Sequence, residues 1–408
     1  MKLLKVMLGV MTAIGGFLDV GNIVTSGITG ARFGMALTWA IVIGTLAMTF
    51  YGEMAGRVAA VAKRPVFHII RERLGVRASL LNLIAFGLLS LLTLAAELGG
   101  VALTLELITG WNYLVFVPIV AALVWLTVWR MRFSWMENIF GILGLCLIVY
   151  VVALFVLPTN WGDLWHSATH PWVPPDQGHP MYWFYAITLF GACLVPYQVI
   201  FFSSGGREEH WTEKDLTSMR MNAVIGFPLG GLLSIAIMAA AYIVLQPAQI
   251  DVGHLSQTTL PVAQALGPWG LVLVVIGFLA AMFAAACECA LSIGYAVGQF
   301  YGWGWGKDKP PRDKPRFHLV CLLAIITAAA FVMTSLDPIA ITIVSVVLGA
   351  AAVPLTYFPV LIVANDRDYM GTRVNRRWNN AVSLIFLLLM VATSIATIPL
   401  LLFTKAGQ

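Results

Sequence analysis

Asp19, Gly21 and Asn22 sit close together inside an apolar run, and Gly191, Ala192, Pro196 and Gln198 interrupt a second such run. A carboxylate, a primary amide and open backbone carbonyls are hard oxygen donors, the type that hold a divalent cation which keeps part of its water. Pro196 lacks an amide hydrogen, so the helical bond due to the carbonyl of Ala192 is missing and that oxygen is available to a cation. Gly16, Gly21 and Asn22 let the first run unwind beside it. Asp19, Asn22, Gly16 and Ala192 are therefore the candidate metal ligands. A lone glycine or proline in an apolar run more often marks a kink or a packing contact. The joint occurrence of Asp19, Asn22 and Pro196 is what that plainer account explains poorly.

Further acids stand in or near such runs: Glu53, Glu97, Glu106 and Glu288. A charged side chain at a bilayer centre costs roughly 2.5–3.5 kcal/mol on insertion scales. No lysine, arginine or histidine is expected inside the runs to offset that cost. Acids without fixed counter-charges fit a cation pathway or protonated carboxyls, not an anion carrier. Glu97, Cys193, Val195, Tyr197, Gln198 and Glu288 are expected to surround the ligands or line the ion's path. For Glu53 and Glu106, near run ends, a solvated role is the simpler expectation. Cys287, Glu288 and Cys289 do not read as a thiolate site, because neighbours on a helix point about 100° apart.

These residues need a membrane to sit in. Of 408 residues 60% are apolar and 11% charged, and the mean hydropathy is +0.88, which excludes an ordinary soluble domain. Runs long enough to cross a bilayer, about 20 residues each, recur at 6–28, 33–56, 79–108, 112–130, 137–157, 181–203, 221–245, 270–298, 318–335, 338–363 and 380–404. The fold class is thus an all-α integral membrane protein of about eleven transmembrane helices, with residues 1–408 forming one transmembrane domain. The interruptions fall in spans 1 and 6, five spans apart, which points to two inverted five-helix repeats, roughly 6–157 and 181–363, plus an extra span at 380–404. Segment 57–78 carries Val66, Ile69, Ile70 and Leu74 at helical spacing and is expected at the inner membrane surface; 158–180 and 246–269 are expected as loops.

Nearly all lysines and arginines fall on one side of the eleven-span arrangement, with only Arg32 and Lys405 on the other. This places the amino terminus in the cytoplasm and the carboxyl terminus outside. The net charge of +5 is therefore a topology signal and implies no nucleic-acid partner. The opening residues could start a signal peptide, but the run continues into a full span. All five cysteines lie in predicted spans and suggest no disulfide framework. No phosphate-binding glycine loop or His-Glu-x-x-His pair is present, so neither an enzyme nor a bound cofactor is expected. The partners expected are the lipid bilayer and a transported ion, and the oligomeric state is left open.

The sequence resembles the Nramp family of divalent metal transporters. Asp19-Val20-Gly21-Asn22 is similar to that family's Asp-Pro-Gly-Asn motif, and Gly30-Ala31-Arg32-Phe33-Gly34 to its Gly-Ala-Gln-Phe-Gly. Glu97 with Gly100 resembles Glu-x-x-Gly, and the Pro354 to Pro359 spacing, Asp366-Arg367 and Met370-Gly371 are similar as well. The resemblance implies a LeuT-type fold, metal-ligand roles for Asp19, Asn22 and the Ala192 carbonyl, and a metal ion as the cargo.

Departures from the family pattern shape the expected cargo. Val195 stands where metal-selective members have methionine, Tyr197 where they have histidine, Val346 at a span 10 glutamine and Leu94 at a span 3 aspartate. Loss of the thioether weakens any preference for soft transition metals, as in the related branch that includes magnesium transporters. A hydrated ion, Mg²⁺ or Mn²⁺, is the expectation, imported across the plasma (inner) membrane by alternating access, with proton coupling left mainly to Asp19 and Glu97. The alternative is a LeuT-type cation-coupled carrier of amino acids or another small organic solute, in which Asp19 and Asn22 would hold the coupling ion.

Overall fold

Apolar runs of this length leave backbone polar groups with no water to bond, so each must satisfy them within its own helix. The computed structural model describes residues 17–174, 177–334 and 337–404, and among these every regular element is helical. Gly15, Gly16 and Lys405 lie outside the described residues. In chain order the helices are α1 (Val20–Phe33), α2 (Thr38–Ala62), α3 (Val66–Thr109), α4 (Tyr113–Arg130), α5 (Phe133–Gly144) and α6 (Val149–Val156). The short α7 (Trp161–Thr169) follows, then α8 (Gly178–Ala192), α9 (Pro196–Glu208), α10 (Leu216–Val244) and α11 (Leu255–Tyr301). The chain closes with α12 (Pro315–Val332), α13 (Pro338–Ala364), α14 (Arg367–Met370) and α15 (Arg377–Thr404).

Nine helical segments among the described residues are long and apolar enough to cross a membrane. These nine correspond to the third to eleventh of the eleven expected crossings; α2 is not among them, and residues 6–16 of the first expected crossing lie outside the described residues. Several boundaries differ from the sequence expectation for identifiable reasons. Segment 57–78 contains the start of α3, which runs through a kink at Gly75, where φ of 75° admits glycine readily. Val66, Phe67, Ile69 and Ile70 turn their apolar side chains into the protein interior, where they are buried. Likewise half of the expected 246–269 loop is the first part of α11, which bends at Gly267 with φ of 62°. The expected 158–180 loop holds α7, capped by Asn160 through the amides of Gly162 and Asp163.

The interior is built around α3, which packs along α11 and α13, and around α10, which packs on α1 and α2. Small residues permit this closeness. A methyl placed on Gly44 of α2 would stand 2.7 Å from Cys193 Cβ, and one on Gly191 would stand 2.7 Å from Ala350 Cβ. The stretch around Gly191 and Cys193 is thereby wedged between α2 on one side and α13 on the other.

Candidate functional site

The first interruption is made by Asp19. Its backbone is extended, its carboxylate accepts the amide of Asn22 at 2.8 Å, and α1 begins with the next residue. Gly21 and Asn22, expected to be unwound, are instead the first turn of α1. The second interruption spans 193–195, between the last residue of α8, Ala192, and Pro196, which opens α9. Proline is favoured there because its missing amide would be unpaired anyway and its φ suits a helix start.

The two breaks meet at Asn22. Its amide nitrogen donates to the carbonyl of Phe17 at 2.7 Å and to that of Ala192 at 2.8 Å, and lies 3.3 Å from Asp19 Oδ1. Three oxygens from two interrupted helices therefore surround one buried, positively polarised nitrogen. Ala192 is the carboxyl-terminal residue of α8, where unpaired carbonyls carry the negative end of the helix dipole. Cys193 Sγ lies 3.8 Å from Asn22 Oδ1. Asp19, Asn22, Ala192 and Cys193 are thus brought together as expected, and the Phe17 carbonyl joins them.

Glu97 reaches the same place from α3. Its two carboxylate oxygens accept the amide of Val20 at 3.1 and 3.3 Å, so an acid caps the open amino end of α1. Beside it is a cavity of about 20 Å³, walled by Asp19, Thr93, Glu97, Val195, Ser345 and Val346 among others. A single water occupies a space of about this size. Thr93 and Ser345 hydroxyls are 3.1 Å apart across the wall and join α3 to α13. Val346 abuts Gly21, where an added methyl would come within 2.8 Å of Val346 Cγ2.

Three expected neighbours lie further out. Tyr197 and Gln198 occupy the first turn of α9 and are buried, and the Tyr197 carbonyl accepts the hydroxyl of Ser292 on α11 at 3.2 Å. Glu288 is buried one helical turn before Ser292 and bears electrostatically on Asp19 and Glu97 without walling the cavity. Glu53, expected near a span end with no basic partner inside the spans, is bonded to Arg57 at 3.1 Å and to Arg220 at 2.9 Å, both outside the expected spans. Among the described residues no three His, Cys, Asp or Glu side chains converge on one point. Any cation here would be held by one carboxylate, an amide and backbone carbonyls.

A sequence model of the family described as "Natural resistance-associated macrophage protein-like" matches residues 9–399. Similar curated proteins include the divalent metal cation transporter MntH of Pectobacterium carotovorum, 22% identical over 404 residues, covering 96% of this chain and 92% of that one. The MntH of Deinococcus radiodurans is 24% identical over 397 residues, covering 92% and 85%. In structure the chain is similar to a manganese transporter of Eremococcus coleocola, with a TM-score of 0.74 at 17% identity over 100% of this chain and 94% of the other. It is also similar to Mhp1, a nucleobase-cation-symport-1 family transporter, with a TM-score of 0.63 at 16% identity over 98% and 91%. These likenesses establish the LeuT-type fold.

Proposed function

Because the chain belongs to the Nramp family, whose members are transporters and not enzymes, we propose that it imports a divalent metal ion, Mg²⁺ or Mn²⁺, across the plasma membrane by alternating access. One observation carries this reading. Asp19 Oδ1 and the carbonyls of Phe17 and Ala192 converge within 3.3 Å of the Asn22 amide nitrogen. An entering cation replaces that nitrogen's partial positive charge, and a half-turn of the amide presents its oxygen as a further ligand. The relatives named as divalent metal cation and manganese transporters support the same class of cargo.

The remaining features support the details. A cavity of about 20 Å³ suits an ion or a water, whereas organic ligands of drug size need about 300 Å³ or more. This favours a metal over an amino acid. Val195 and Val346 offer no donor atoms from the wall, so the ion keeps water on that side, as Mg²⁺ prefers. Proton coupling is assigned to Asp19 and Glu97, the two buried acids at the break in α1. The excess of Lys and Arg on one side supports a cytoplasmic amino terminus. The two interrupted helices, each closed by α13, form the part that rocks between the two faces.

Uptake by proteoliposomes tests the proposal. A competition panel of Mg²⁺, Mn²⁺, Ca²⁺, Fe²⁺ and Zn²⁺, read with a pH dye inside the vesicle, is expected to show saturable Mg²⁺ or Mn²⁺ entry accompanied by acidification. Asp19→Ala is expected to abolish entry; undiminished uptake by that variant would overturn the ligand assignment. Entry without acidification would remove proton coupling while leaving the metal reading intact.

A further inference from the structure

A second, larger cavity lies away from the helix breaks, between α2, α10 and the segment that leads into α15. It measures about 420 Å³, and its wall includes Thr49, Glu53, Arg57, Arg220, Arg373 and Arg376. Four arginines face one carboxylate. Arg57 is 3% exposed and fully engaged, donating to Glu53, to the Arg373 carbonyl and to Asn375 Oδ1, so it holds the wall in place. The other three retain donors. Arg220 bonds Glu53 through Nε alone, Arg373 reaches Glu213 only at 3.6 Å, and the Arg376 side chain has no hydrogen-bond or ion-pair partner among the described residues, its carbonyl alone accepting the Asn380 amide.

Planar guanidinium groups with open N–H donors match the oxygens of a phosphate or a carboxylate in a bidentate manner. Position narrows the source. The cavity belongs to the side that carries the lysine and arginine excess, which is the face of an anionic cytoplasmic leaflet. Its wall also includes Phe50 and Val224, and Val224 is 54% exposed on a flank of α10 that bears exposed Met221 and Ile225. A polar chamber that opens onto an apolar flank has the shape of a headgroup joined to acyl chains. We propose that this cavity binds the phosphate headgroup of an anionic phospholipid, bridging α2, α10 and the start of α15. The inference is independent of which ion the transporter carries.

Native mass spectrometry of the full-length protein, released from nanodiscs holding equal parts phosphatidylglycerol and phosphatidylcholine, tests it. The protein is expected to retain phosphatidylglycerol preferentially. In Arg220→Gln/Arg376→Gln retention falls about thirty-fold, since each basic residue near an anionic surface contributes a factor of about five. Arg77→Gln removes an exposed charge outside the cavity and keeps the preference; an equal loss there would overturn the site in favour of general surface charge. Equal retention of the two lipids, or retention unchanged in the double variant, also overturns it. Inorganic phosphate is the remaining arm: displacement of phosphatidylglycerol only at high concentration supports the lipid, whereas phosphate binding with no lipid preference overturns it. Thermal unfolding of each variant confirms that it is folded when it is weighed.

Discussion

Both carboxylate oxygens of Glu97 accept the backbone amide of Val20, so an acid in the middle of α3 caps the open end of α1. Asp19 caps a different amide, its Oδ1 accepting the backbone N–H of Asn22. Glutamine at position 97 keeps one acceptor and loses the charge; alanine leaves a buried amide unpaired, at a cost of about 1–3 kcal/mol. Thermal unfolding without metal is expected to rank wild type above Glu97→Gln and that above Glu97→Ala. Equal losses for the two variants would show that the hydrogen bond does not hold the break.

Gly21 is enclosed from two sides. An added methyl would lie 2.8 Å from Val346 Cγ2 and 3.1 Å from Asp19 Oδ1. Gly21→Ala is expected to destabilise by about 1–3 kcal/mol through overpacking, and Val346→Ala to restore part of that in the double variant. Metal uptake should stay impaired, because the contact with the Asp19 carboxylate persists. A double-mutant cycle on stability that shows no coupling between positions 21 and 346 would remove α13 from the wall of the break.

How far the site was legible follows from chemistry. Asp19 and Pro196 stand out because a charge and a missing amide are anomalous in apolar runs. The Phe17 carbonyl has no such mark, since a backbone oxygen carries no information about residue type. Thr93 was hidden because a hydroxyl in a membrane helix ordinarily bonds its own backbone, and Thr93 does accept that arrangement, donating to Leu89 at 3.0 Å while also meeting Ser345. The Glu53 pairing with Arg220 joins residues 167 apart in sequence, which no local pattern reveals. Gly75 and Gly267 read as loop residues, and the backbone at each is indeed non-helical, so that two helical pieces meet there at a kink instead of being joined by a loop.

Val195 walls the cavity between Asp19 and Pro196, in the stretch between α8 and α9. A methionine there would offer a polarisable thioether to the ion, and soft ligands favour soft metals. Val195→Met is expected to raise Cd²⁺ uptake relative to Mg²⁺ by about tenfold, the change that about 1.4 kcal/mol of added binding produces. Competition uptake of the two ions in proteoliposomes measures it. An unchanged ratio with retained Mg²⁺ transport would mean that the ion never approaches this wall.

Lys307, in the segment between α11 and α12, is 2% exposed. Its ammonium donates to the carbonyls of Thr127, at 3.2 Å, and Met131, where the α4 dipole favours a cation. Burial nevertheless outweighs this and holds its pKa below the ordinary lysine value. Between that depressed folded value and about 10.4 in the unfolded chain, the unfolded state binds the extra proton, so stability contributed by this group rises with pH across the window. At neutral pH both states are protonated and the cost of burying the charge is fully present. Thermal unfolding followed from neutral pH to about 10 is therefore expected to show the stability of wild type rising relative to Lys307→Met. A relative fall over the same window would mean that the α4 carbonyls stabilise the ammonium by more than its desolvation costs.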